Sequence, residues 1–430
     1  MKTKLSLAVA AALLAGASSA NAGIMIPAGD WTLDIGGVVN AYYTHTNFSG
    51  DGGTAPLGLG NGNNDSISNI TTGLLPNYLS VSGKTRQNDL DVGFTISINP
   101  GASTTSSGKQ SAQQENRQAF LTFGDKSWGS IKIGKDLGIF ASDAILNDMT
   151  LLGVGSGAGS LAGNTTTLGR IGTGFMYADW KSQVAYSSPN WNGFSFTAGV
   201  TQAWNAVGNF GGASSTGRGG SSPAFEGKAS YEWAGDVGGK VWVSAMTQRV
   251  KDLGGSAAVT AAGVGTFINP TTGLLNTVAR AASPAVAATD DRATAYDIGT
   301  TVNVAGFGLT GYYYNGSGIG QTLQLNGGFD ANGNSRDSDG WYVQGTYTLP
   351  GVGTKLGVSY GRSKLDGNGI DNFNDVKDKM WTIGAYHPIT KHLNLVAEYS
   401  DSKHDVNSDV AANDTNGKAK TISLGAILFF

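Results

Sequence analysis

The sequence predicts an all-β fold, a sixteen-stranded antiparallel transmembrane β-barrel with an inward-folded third long loop. Three observations predict it. Apolar and polar residues alternate with period two in sixteen segments of roughly 8–13 residues. The connections alternate strictly, seven short turns against eight long loops. Hydrophobic residues make up only 40% of the chain and charged residues 14%, with 66 glycines in 430 residues. That composition suits neither a helical membrane protein nor a dry globule. It suits a barrel with lipid outside and water inside, where one face of each strand is apolar.

The first 22 residues read as a segment removed from the mature fold. Lys2 and Lys4 form a positive start, residues 5–17 an apolar run, and Ala20-Asn21-Ala22 a small-x-small cleavage site before Gly23. The expected domain division is a signal peptide over 1–22 and a single barrel domain over 23–430. No later run reaches 18 apolar residues, so no membrane helix is expected. Without Lys2 and Lys4 the chain carries 26 basic and 31 acidic residues. A mildly acidic chain with no basic run argues against nucleic acid as a partner. There is no cysteine, so an exported chain of this size must rest on extensive pairing rather than disulfides.

The first strand, 31–43, places Trp31, Leu33, Ile35, Val39 and Tyr43 on one face and Thr32, Asp34 and Asn40 on the other. A polar loop rich in Gly and Asn precedes 78–84 and, after a short break, 90–98. There Leu90, Val92, Phe94, Ile96 and Ile98 alternate without a miss. Strands follow at 116–124 and 130–135, then 174–187 and 194–200 around the Ser188-Pro189-Asn190 turn. Strands 225–233 and 240–249 precede the longest loop, 251–291. Strands 294–304 and 307–314 flank a tight Ala305-Gly306, and 341–349 and 355–365 flank Pro350-Gly351. The last three are 380–387, 393–400 and, across loop 402–418, 421–430, with 380–387 and 393–400 joined at Pro388–Lys391; they complete the sixteen. Lipid offers no backbone partner, so such a sheet must close on itself. Trp31, Tyr42, Tyr43, Trp180, Trp204, Trp233, Trp341, Trp381, Tyr399, Phe429 and Phe430 lie at or near strand ends, where aromatic girdles belong.

The stretch 129–170 breaks this alternation. It opens as a strand, continues as a mixed segment over 140–149, and then runs rich in Gly, Ser and Thr to Arg170. A long segment without strand periodicity inside a barrel domain is usually functional, and its expected place is inside the barrel, narrowing it. Other motifs fail. Asp330, Asn332 and Asn334 begin like a calcium loop, but Ser335 stands at the required Gly and Trp341 at the bidentate Glu. Gly153, Gly155 and Ala158 fit a loose dinucleotide pattern that opens no helix. The four histidines lack metal spacing, and no Ser/His/Asp set can be assigned. The expected enzyme activity, metal and cofactor are therefore none.

Four places carry a resemblance to a known family. Residues 36–41, Gly-Gly-Val-Val-Asn-Ala, resemble the first strand of the sixteen-stranded general porins of Gram-negative bacteria, especially those of β-proteobacteria. Residues 128–135 resemble that family's strand before its constriction loop, and 184–194 its turn after the loop. The terminal Phe430 is similar to the family's C-terminal assembly signal. The resemblance implies a homotrimer of water-filled pores in the outer membrane, in contact with lipid and lipopolysaccharide. Each pore would be narrowed by its third long loop, which here is 129–170. It also implies loop acids facing wall cations. Asp143 and Asp148 match the acids, and Arg117 a wall arginine. Arg170 or Lys181 matches a second wall cation, the two remaining alternatives. Lys135 replaces a usual arginine and shares the parity of Ile131 and Ile133, so it faces a neighbouring subunit; Lys132, on the other parity, faces the pore.

A cation on the lipid face near the midplane costs roughly 2–4 kcal/mol, so strand charges should face water. Opposed charges across a narrow lumen orient dipolar solutes and bias ion selectivity. The expected function is passive diffusion of small hydrophilic solutes and ions. The alternatives are a channel selective for one nutrient class, an outer-membrane barrel enzyme, and an exported adhesin that forms no channel.

Overall fold

The computed structural model describes residues 23–50, 66–103, 114–156, 166–206, 222–253, 265–268, 275–278, 288–410 and 414–430. The leader, 1–22, lies outside the described residues. Sixteen long strands form the barrel: β1 Trp31–Gly50, β2 Tyr78–Gln87, β3 Leu90–Pro100, β4 Ala119–Asp125, β5 Gly129–Leu137, β6 Trp180–Ser187, β7 Phe194–Thr201 and β8 Ala224–Trp233. The second half is β9 Val237–Leu253, β10 Thr289–Val304, β11 Phe307–Ser317, β12 Asp337–Thr348, β13 Lys355–Asp366, β14 Asp375–Pro388, β15 Leu393–Asn407 and β16 Thr415–Phe429. Each pairs antiparallel with its sequence neighbour, and β1 pairs with β16, so the ring is closed. Below the end of β16 the short strand Ile24–Ala28 pairs with Trp31–Ile35. The seam is fastened where Gly37 N donates to Phe430 O at 2.8 Å and Phe430 N to Gly37 O at 3.1 Å.

Alternation sorts side chains by face. On β9, Val241 and Val243 are exposed outward while Trp242, Ser244 and Met246 are buried inward. On β13, Val358 and Tyr360 face out and Ser359 faces in. Side chains of a pleated strand point to opposite faces in turn, so one register decides every contact. Among the described residues no helix is long and apolar enough to cross a membrane; the strands do the crossing.

The structure departs from the expected elements in three ways. β6 begins at Trp180, not at 174, because residues 174–179 are irregular, with Asp179 in the left-handed region at φ 56°. β4 begins at Ala119, and Gln114–Glu115 forms a separate short pairing with β3. Several strands extend beyond their expected ends, β1 to 20 residues and β9 to 17. The added ends carry ion pairs such as Lys379–Asp405 at 3.2 Å and Lys403–Asp405 at 2.7 Å. The outward face is polar there, while Val376 and Val406 pack inward with Leu365, so backbone pairing continues beyond the band where the outward face is apolar. One aromatic assignment also changes. Tyr43 faces outward, but Tyr42 is buried on the inner face and donates to Leu152 O at 2.7 Å.

Candidate functional site

Residues 138–179 join β5 to β6. They hold a short helix, α1 Ser142–Asn147, and a 3-10 turn, Met149–Leu152. Neither fits a strand pattern, and their backbone groups find partners on the polar parity of distant strands. Ile139 N and Phe140 N donate to Glu226 Oε2 at 2.8 and 2.9 Å. Val154 N and Gly155 N donate to Glu398 Oε2 at 2.7 and 2.8 Å. Tyr342 Oη donates to Ala144 O at 2.9 Å, and Met149 N to Gln344 Oε1 at 2.6 Å. A buried apolar cluster reinforces these bonds: Phe140, Ile145, Met149 and Phe175 of the segment pack among Trp242, Tyr312, Tyr342 and Tyr386 of the wall. Phe175 meets Tyr312 edge-on at 6.5 Å and Tyr342 at 5.7 Å.

The charged residues singled out from the sequence fall into two groups. Asp143, Asp148, Arg170 and Lys181 are each at most 4% exposed. Asp143 receives Lys240 Nζ at 2.6 Å and Lys228 Nζ at 3.1 Å. Asp148 Oδ1 lies 3.9 Å from Arg170 Nε, and Arg170 Nη1 donates to Met380 O at 2.9 Å. Lys181 pairs with Glu226 and also donates to Gln324 Oε1 at 2.6 Å. Asp143 thus meets two wall cations directly, Asp148 and Arg170 lie side by side within the segment, and Lys181 pairs across the wall. The apolar cluster seats the segment so closely that these charges are desolvated and must pair.

Arg117 is 7% exposed and its Nη2 donates to Thr166 Oγ1 of the segment at 3.3 Å, whereas Lys132 is half-buried. Arg117 Nε donates to Glu115 Oε2 at 2.7 Å, and the guanidinium lies 5.8 Å from the Trp180 ring centroid. Arg117, Glu115 and Trp180 line a cavity of about 260 Å³ that also includes Asp179. Lys132 pairs with Asp136, lies 5.0 Å from the Phe120 ring centroid, and lines a second cavity of about 320 Å³ with Asp34 and Lys84. Lys135 has the opposite parity, and its Nζ donates to Asn116 O at 2.8 Å.

Burial pushes the Asp143 carboxyl up, but the Lys228 and Lys240 ammoniums together outweigh it and hold the group at about 2. Burial raises Asp148 against the pull of Arg170, and lowers Arg170 against the pull of Asp148. Asp330, the start of the calcium-like motif, accepts from Asn332 N and Asn334 N, each at 2.9 Å, as a turn cap.

Sequence reasoning missed Lys240 and did not single out Lys228 as the partner of Asp143. It also missed that Glu226 and Glu398 accept backbone donors. The available signal was parity: Glu226, Lys228 and Glu398 occupy inward positions, and so do the bulky Trp242, Tyr312 and Tyr342. Large aromatics on a water-facing parity announce that something packs against them.

A profile of the family described as Gram-negative porin matches residues 7–407. No curated protein matches the chain. Among solved structures, the outer membrane channel DcaP of Acinetobacter baumannii is 16% identical, with a TM-score of 0.63 over 95% of this chain and 100% of that one. The anion-selective porin of Comamonas acidovorans is 14% identical, with a TM-score of 0.55 over 93% and 100%. OmpF of Salmonella typhi, in complex with daunomycin, is 15% identical, with a TM-score of 0.53 over 94% and 100%.

Proposed function

This chain belongs to the Gram-negative porin family and is a passive outer-membrane channel, and from that premise we propose that it passes small hydrophilic solutes and ions through a lumen narrowed by residues 138–179. The observation that carries this reading is the set of bonds from that segment to inward side chains of β8, β12 and β15. A segment tied to β8, β12, β15 and, through Tyr42, β1 leaves the wall from β2 to β5 for water. Arg117 and Lys132 then line the path. Asp143, Asp148, Arg170 and Lys181 shape it by holding the segment in place. A lumen lined by fixed charges favours size-limited diffusion without a chemical step.

The remaining parts of the proposal concern assembly. Residues 1–22 direct export as a signal peptide, and Phe430 is read during insertion. Three copies associate through outward faces that include Lys135, with lipid and lipopolysaccharide around the rest. The test uses the full chain in liposomes, with swelling measured in sugars of increasing size. Rates that fall steeply with solute size support the proposal. Ion conductance in planar bilayers with no swelling in any sugar overturns it.

A further inference from the structure

The cavity beside Arg117 has walls that passive diffusion of hydrophilic solutes does not require. Leu74, Ile145, Leu151, Leu168 and Ile171 line it. Another apolar side chain, Leu323, comes from the connection between β11 and β12. It is placed there by built contacts: Tyr177 N donates to Thr322 O at 3.0 Å, and Gln324 Nε2 to Tyr177 O at 3.0 Å. Leu323 nevertheless remains 37% exposed. An apolar side chain held by hydrogen bonds of both its neighbours and left facing a cavity has no packing role there that its contacts explain.

The polar end of the cavity is unbalanced. The lining carries two carboxylates, Glu115 and Asp179, against one cation, Arg117, and Asp179 Oδ1 accepts from Trp180 N at 2.6 Å. Its neighbour Lys181 is committed to Glu226 and Gln324. Asp179 also sits at φ 56°, in the left-handed region that a non-glycine residue enters at a cost and that recurs at functional sites. Burial raises its carboxyl above the ordinary value, a desolvation that a bound cation would offset.

Building on the channel reading, we propose that this cavity binds a small amphipathic organic cation, with its ammonium group at Asp179 and its apolar body against Leu323, Ile145 and Leu168. The size fits a compact solute: about 260 Å³ lies just below the range of roughly 300–1,000 Å³ that holds drug-sized ligands. The site would make the channel retain such cations in transit, which free diffusion does not do.

The test is planar-bilayer recording of the full chain in fixed KCl, with phenethylammonium, choline and phenylacetate added separately. Phenethylammonium should block saturably, at a half-blocking concentration about tenfold below those of the other two. Asp179→Asn and Leu323→Ser should each raise that concentration about tenfold, the first through charge and the second through apolar contact. KCl conductance steps from each variant report that it has inserted. Block by phenylacetate equal to that by phenethylammonium, or no block by any probe, overturns the site and leaves the channel standing. Absence of KCl conductance from the unsubstituted protein overturns the channel reading itself.

Discussion

Asp143 is a carboxylate that burial alone would neutralise, yet Lys228 and Lys240 hold it ionised at about 2. A folded value below the ordinary 3.8 means that the ion pair stabilises the seated segment fully above the ordinary value. That contribution fades as pH falls toward 2. The shift corresponds to about 2 kcal/mol. Denaturant unfolding of the parent and of Asp143→Asn should therefore differ by about that much at pH 7. The gap should be constant down to about pH 5 and close toward pH 2; a gap independent of pH would show that the two lysines do not hold the carboxylate. Lys132 and Arg170 make a second contrast. Lys132 lines an open cavity, so Lys132→Gln should shift the reversal potential in a KCl gradient toward cation preference. Arg170 is fully buried beside Asp148. Its loss strands a buried carboxylate, a change that costs roughly 3–5 kcal/mol, so Arg170→Gln should lower stability rather than tune selectivity. Reversal potentials that move equally in both variants would put Arg170 in the permeation path.

At the scale of elements, the turn between β10 and β11 carries a strain that can be relieved. Ala305 sits at φ 48° and Gly306 at φ 86°, the two left-handed positions of a turn that favours Asn-Gly. Ala pays roughly 1–2 kcal/mol in that region and Asn less. Ala305→Asn should therefore stabilise the barrel by about 1 kcal/mol in reversible urea unfolding from lipid; a neutral or negative change would show that the turn's geometry differs. This turn was legible in the sequence, as were all sixteen strands, because lipid on one face and water on the other force period two. The strand ends beyond that apolar band were not legible. Lys379, Lys403 and Asp405 pair across β14 and β15, but these outward positions are polar and the apolar residues there, Val376 and Val406, point inward, so the alternation expected of a lipid-facing strand is lost. The importance of 129–170 was visible as a break in pattern. Its seat was not, since Glu226, Tyr342 and Glu398 meet it from strands 86 to 244 residues away in sequence, and no local period encodes such a meeting.

At the scale of the whole molecule, the barrel and residues 138–179 are held by different forces. The ring is a continuous backbone ladder closed at Gly37 and Phe430, and none of its sixteen strand pairings uses residues 138–179. The segment is held by side chains: the apolar cluster around Phe140 and Phe175, the carboxylates of Glu226 and Glu398, and the lysines at Asp143. Fully burying one such apolar side chain is worth roughly 1.5–3 kcal/mol, so the seat is firm, yet removing it should leave the ladder intact. Replacing residues 142–152 by a short Gly/Ser linker takes away α1, the 3-10 turn and the partners of Lys228, Lys240 and Tyr342. Trp242, Tyr312 and Tyr342 would then face lumen water, lowering stability without opening the ring. The variant should still migrate as a folded, heat-modifiable barrel in detergent gels, because that property reports the ladder. Its single-channel conductance should rise several-fold, because the narrowed part of the lumen would be gone. Conductance equal to that of the parent, in a variant that remains folded, would mean that ions already pass wide of this segment and that the narrowest point lies elsewhere.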